Sequence, residues 1–131
     1  MKPLFLVLLA AATTAFAADV KKIAPAEAAR LVANGSAVLI DVREPAEWAA
    51  TGVVAGAVLL PKSDFDGARK QWQEFLTRAG GKQLILYCRT GHRAGLVAAK
   101  LAGEGHQVAN AGGFKDWQDA GQPVAKVKDA P

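Results

Sequence analysis

Cys88 is the only cysteine among 131 residues, and it is followed by Arg89, Thr90, Gly91, His92 and Arg93. A thiolate is the reactive form of cysteine, and backbone N–H groups, a helix N-terminus and arginines all stabilise it. The apolar run Leu84-Ile85-Leu86-Tyr87 leads into the cysteine, and a helix-like stretch leads out from Ala94. A strand, a tight loop and a helix start in that order can turn several N–H groups toward one point, making an anion-binding concavity. Gly91 stands where such a turn needs a residue free of the Cβ penalty. Arg93 can direct a fixed positive charge inward, and Arg89 can supply another at the rim. The predicted chemistry is nucleophilic attack by Cys88 on a small anionic substrate held beside it.

The alternative is an inert buried cysteine, the usual state of a lone thiol. The polar, cationic run after Cys88 is a poor environment for that. His92 is tempting as a base, but neighbours on one turning loop seldom face each other, and no Asn or Asp partner is evident. It is placed at the rim, tuning charge or access. His106, at an expected strand start, is read as structural or exposed. Two separated histidines and one cysteine do not make a metal site, and neither a metal nor a cofactor is expected.

The elements that must hold this loop alternate along the chain. Val20–Ile23 reads as a short edge strand, and Pro25 suits the first turn of a helix that Asn34-Gly35 ends. Ala37–Val42 is a continuous apolar run, the pattern of a strand covered on both faces. Pro45–Ala50 is expected as a short helix and Val58–Leu60 as a short strand. Ser63 or Asp64 can cap one longer helix through Leu76, with Phe65, Trp72, Phe75 and Leu76 at helical spacing. Gln83–Cys88 is strand-like, Gly95–Leu101 helical and Gln107–Ala109 a last short strand; Gly112-Gly113 opens a final helical turn with Phe114 and Trp117. Strands alternating with helices predict an α/β fold, a small parallel sheet with helices on both faces. In such sheets ligands bind beyond the carboxyl ends of the strands, which is where Cys88 falls.

The length suits one domain. Lys2, the apolar stretch Leu4–Ala12 and Ala15-Phe16-Ala17 fit a secretory signal covering residues 1–17, the domain following over 18–131. That places the mature protein in the periplasm or outside the cell, with no membrane attachment after cleavage; the apolar stretch is far short of the ~20 residues that span a bilayer. An unpaired thiol in an oxidising compartment closes no internal disulfide, so its reactivity is the reason to keep it. The net charge of +4 is spread along the chain without a basic run. Nucleic-acid binding is not expected, while a mildly positive surface can draw in small anions.

Three signatures together resemble the single-domain rhodanese family. The first is Ile40-Asp41-Val42-Arg43-Glu44-Pro45-Ala46-Glu47-Trp48 followed by Gly52-Val53-Val54-Ala55-Gly56-Ala57. The second is Tyr87-Cys88-Arg89-Thr90-Gly91-His92-Arg93, similar to the family's active-site loop; the third is Gly112-Gly113-Phe114 with Trp117, then Gly121-Gln122-Pro123-Val124. The resemblance covers Val20–Val124 and implies a small parallel-sheet domain with sulfurtransferase activity. It implies that Cys88 takes sulfane sulfur from a donor such as thiosulfate, becomes a persulfide, and passes the sulfur to cyanide, a thiol or another protein. By the same resemblance, Arg89 to Arg93 form the N–H cradle, with Arg93 and Arg89 binding the anion, and Asp41 and Arg43 support the loop. Phosphatase and arsenate-reductase relatives have a Cys-x5-Arg loop. Here Arg93 stands five positions after Cys88, giving Cys-x4-Arg, the length associated with sulfur transfer. A second reading is a persulfide carrier serving a partner protein. The first signature has Val53-Val54-Ala55 where His-Ile-Pro is common.

Overall fold

A computed structural model describes residues 20–127 of the chain; the expected signal segment lies outside the described residues. Five parallel strands form the central sheet. They are β1 (Lys21–Lys22), β2 (Ala37–Asp41), β4 (Val58–Leu59), β5 (Gln83–Cys88) and β6 (Val108–Gly113), in the order β1-β6-β5-β2-β4. β3 (Val53–Val54) and β7 (Val124–Ala125) pair separately and antiparallel.

The helices are α1 (Pro25–Ala33), α2 (Pro45–Thr51), α3 (Lys62–Asp66), α4 (Lys70–Ala79), α5 (His92–Gly103) and α6 (Phe114–Asp119). Because side chains alternate along a strand, β5 feeds two cores. Leu84, Leu86 and Cys88 point to one face and meet Phe65, Trp72, Val97 and Leu101 of α3, α4 and α5. Ile85 and Tyr87 point to the other and meet Ala28 of α1 with Phe114 and Trp117 of α6. β5 is therefore buried on both faces, and this is why its sequence is apolar without alternation. The expected α/β architecture with helices on both faces is the observed one.

Three local expectations change. The single helix through Leu76 is two helices, broken at Gly67-Ala68-Arg69, with Arg69 left-handed at φ 57°. Asp64 caps the second of them: its carboxylate accepts from the N–H groups of Gln71 and Trp72 at 3.0 Å each, satisfying first-turn donors of α4. Arg69 is held by its guanidinium over the Phe65 ring at 3.8 Å and by an ion pair to Glu104. Next, α5 begins at His92, three residues earlier than its apolar spacing implies, so Arg93 belongs to its first turn. Last, β6 runs on through Gly113, its Asn110-Ala111-Gly112-Gly113 end lacking the β-branched residues that mark strands in sequence.

Next to the β3–β7 pair, Ala55 N–H donates to Pro123 O at 2.9 Å, a bond that a proline at position 55 could not make.

Candidate active site

Cys88 is the last residue of β5 and is fully buried, contrary to the expectation from the cationic run after it: exposure begins only at Arg89 and Thr90, and the sulfur lies behind them. Its Sγ accepts a hydrogen bond from Gly91 N–H at 3.0 Å. That geometry requires Gly91 to take φ 97°, a left-handed conformation that glycine adopts without a Cβ penalty. Behind the turn, Asn110 donates to Gly91 O at 2.9 Å and accepts from Gly112 N–H at 3.0 Å, tying the loop to the end of β6. Asp116 accepts from Gly113 N–H at 2.8 Å. A Cβ on Gly113 would strike the Arg89 carbonyl, so the loop rests directly on β6 backbone. With α5 starting at His92, the positive end of a twelve-residue helix adjoins the sulfur.

Arg93 leaves the loop for a carboxylate. Its two terminal nitrogens donate to Glu47 of α2 at 2.7 Å each, a bidentate pair in which both side chains are half-buried. The hydrogen bonds from Arg93 hold the Glu47 carboxyl down at about 2 against the opposing effect of burial. The Arg93 guanidinium is raised, chiefly by Glu47, with Cys88 among the smaller electrostatic contributions. Arg93, expected to turn its charge inward to the anion, instead gives both terminal nitrogens to a carboxylate of α2. Arg89 and Thr90 are exposed, and so is His92. Thr90 Oγ1 accepts a long bond from His92 N–H at 3.4 Å.

Asp41 and Arg43 form a buried pair at the end of β2, Arg43 Nη2 donating to Asp41 Oδ2 at 2.8 Å. Asp41 also accepts from the Arg43 backbone N–H at 2.9 Å. The remaining Arg43 donors reach Thr51 Oγ1 and Gly52 O at 2.9 and 2.8 Å, closing the end of α2. Its guanidinium lies 4.4 Å from the centre of the Phe114 ring. Burial pulls the Arg43 pKa down, but the bond to Asp41 and its charge outweigh that and leave it raised. Beside the pair, the Tyr87 hydroxyl accepts from Val54 N–H at 2.9 Å; burial and then the Asp41 carboxylate push its phenol well up.

The structure therefore brings Cys88, Gly91 and the start of α5 together, with Asp41 and Arg43 bracing α2 below Arg93. Sequence reasoning assigned no role to Glu47, Asn110, Tyr87 or Asp116. Glu47 could have been found from the need to anchor a loop cation with an acid. Asn110 has no such signal.

The arrangement places a sulfur that accepts a backbone N–H bond just behind an exposed cationic loop. The family model described as Rhodanese-like domain matches residues 24–120. Over 111 residues the chain is 32% identical to an uncharacterised protein of Synechocystis sp., a match covering 83% of this chain and 58% of that protein. Over 90 residues it is 38% identical to the probable adenylyltransferase/sulfurtransferase MoeZ of Mycobacterium tuberculosis, covering 65% of this chain and 21% of that protein. The chain thus spans less than two thirds of the length of either relative. Among solved structures, the 30 kDa polysulfide-sulfur transferase homodimer from Wolinella succinogenes superposes with a TM-score of 0.65 at 25% identity, covering 83% of this chain and 80% of that one.

Proposed function

This chain belongs to the family of rhodanese-like domains, and we propose that it moves sulfane sulfur from thiosulfate or a similar anionic donor to a thiophilic acceptor through a persulfide on Cys88. The observation that carries this reading is the Gly91 N–H held 3.0 Å from Cys88 Sγ at the mouth of a parallel sheet. In the first step the Cys88 thiolate attacks the outer sulfur of thiosulfate. The donor's S–S bond breaks, sulfite leaves with the bonding pair, and a new S–S bond remains on Cys88. In the second, cyanide or a thiolate attacks the outer sulfur and Cys88 departs as thiolate.

Gly91 N–H and the first turn of α5 stabilise negative charge on the sulfur in both forms. Arg93, oriented by Glu47, supplies the nearby fixed charge, and exposed Arg89 meets the incoming anion. Thr90 and His92 form the rim. Asp41 and Arg43 support the site without touching substrate. Residues 1–17 would direct export, so the domain would work in the periplasm or outside the cell. Among the described residues no helix is long and apolar enough to cross a membrane.

A second reading is a carrier that receives its sulfur from a partner protein. The likeness to about a fifth of MoeZ favours it, because there a similar stretch is part of a larger protein. The test is thiocyanate formation from thiosulfate and cyanide by wild type and Cys88→Ser. Turnover lost in the variant supports the enzyme; no turnover by wild type, with Cys88 persulfidated by a protein donor, supports the carrier.

A further inference from the structure

β6 carries one residue more than β5 beside the cysteine. Leu86 pairs with Asn110 but Cys88 pairs with Gly113, so Ala111 and Gly112 together oppose Tyr87. Bulges of this kind re-aim groups next to active sites. Asn110 holds this one from within: its Oδ1 accepts from Gly112 N–H at 3.0 Å, and its Nδ2 donates to Gly91 O at 2.9 Å. The same Gly91 carbonyl accepts from Gly95 N–H at 2.9 Å, the first bond of α5. Asn110 is itself fixed in the sheet, its carbonyl accepting from Ile23 N–H at 3.0 Å. Gly91 is thus gripped at its carbonyl by a strand and a helix, while its N–H faces Cys88 Sγ at 3.0 Å. A glycine backbone turns freely, so the aim of that N–H depends on the grip. At neutral pH, among side chains of this size, only a carboxamide puts a donor and an acceptor on one planar group.

We infer that Asn110 is a positioning residue for the sulfur: through Gly91 it keeps one N–H donor on Cys88 Sγ and so speeds release of sulfur to the acceptor. This rests on the sulfur-transfer reading and assigns the bond to one half of that reaction. When cyanide discharges the persulfide, its carbon bonds to the outer sulfur, the Sγ–S bond breaks, and Sγ takes the electron pair. Thiocyanate leaves, with no proton gained or lost. Negative charge grows on Sγ in this step, so a donor aimed at Sγ stabilises the transition state more than the persulfide. In loading, Sγ gives up charge instead. Loss of the donor there removes thiolate but makes the thiolate that remains more nucleophilic, and the two effects partly cancel.

The experiment follows the two half-reactions separately by intact mass, loading with thiosulfate and then discharging the isolated persulfide with cyanide, below each variant's melting temperature. Asn110→Asp keeps the acceptor for Gly112 N–H and loses the donor to Gly91 O, whereas Asn110→Leu loses both. Both variants are expected to discharge about tenfold more slowly, the worth of one hydrogen bond to a charged group. Their loading should stay within about threefold of wild type. Arg69→Ala, which opens the Arg69–Glu104 pair on the other side of the domain core, should melt earlier and keep both rates. Discharge at the wild-type rate in the Asn110 variants, or loading and discharge slowed by one common factor, overturns the proposal. If neither Asn110 variant folds, wild type answers alone: the Asn110 side-chain amide resonances should shift when Cys88 becomes the persulfide, and unmoved resonances overturn the proposal. A wild type that takes no sulfur from thiosulfate or from inorganic polysulfide overturns the sulfur-transfer reading itself.

Discussion

Arg93 and Glu47 meet through two hydrogen bonds of 2.7 Å, joining the first turn of α5 to α2. The pair fixes the Arg93 side chain from outside the loop, so the start of α5 is tied to α2. Glu47 is therefore a positioning residue, and Asp41 with Arg43 positions Glu47 in turn by closing the end of α2.

The Glu47 carboxyl lies at about 2 in the folded protein against an ordinary 4.5, because Arg93 hydrogen-bonds its charged form. A depressed carboxyl stabilises the fold above its unfolded value and loses that contribution as pH falls through the folded one. The melting temperature of wild type should exceed that of Glu47→Gln at neutral pH, and the gap should close between pH 4.5 and about 2. A gap that does not change across this window would show that the pair contributes nothing to stability.

Removing one partner of a buried ion pair leaves the other charge uncompensated, at a cost of about 3–5 kcal/mol. Arg43→Ala should destabilise by that amount in denaturant titrations, since Asp41 is fully buried. Adding Asp41→Asn to it should cost less than the two single changes summed. Additive losses would mean that the two residues act independently.

Gly91→Ala forces a side chain into a left-handed conformation at φ 97° and sets its Cβ 3.2 Å from Gly112 Cα. The conformational cost is roughly 1–2 kcal/mol. Relief comes by rotating the Gly91 N–H away from the sulfur, so persulfide yield should fall further than the melting temperature implies. A variant that keeps its full persulfide yield would sever the link between that N–H and the chemistry.

Tyr87 is the only tyrosine, so its ionisation can be followed by absorbance alone. Burial and the Asp41 carboxylate raise its phenol above the ordinary value of 10. A raised phenol stabilises the fold below the unfolded value, and that contribution declines as pH climbs past 10. Phenolate should appear only together with alkaline unfolding; reversible ionisation near 10 in folded protein would contradict the burial of Tyr87.

Much of this was legible in the chain. β2 and β5 announce themselves as unbroken apolar runs because both faces are covered, and Cys88 follows from its place at the end of such a run. The break at Gly67 was masked because Phe65 and Trp72 keep helical spacing across it, their rings packing edge to face at 5.1 Å. The end of β6 was hidden by glycines, whose role there is close backbone approach to Arg89. The Arg93–Glu47 pair was hidden for a different reason: no local pattern connects residues from separate elements, and only the sheet order brings α2 and α5 together.

The central claim is that sulfur resides on Cys88. Intact mass after incubation with thiosulfate, then with cyanide, tests it most directly. Wild type should gain one sulfur atom and lose it to cyanide, while Cys88→Ser gains none. A wild-type mass unchanged by thiosulfate would contradict thiosulfate as the donor, and a gain retained in Cys88→Ser would contradict Cys88 as the carrier of the sulfur.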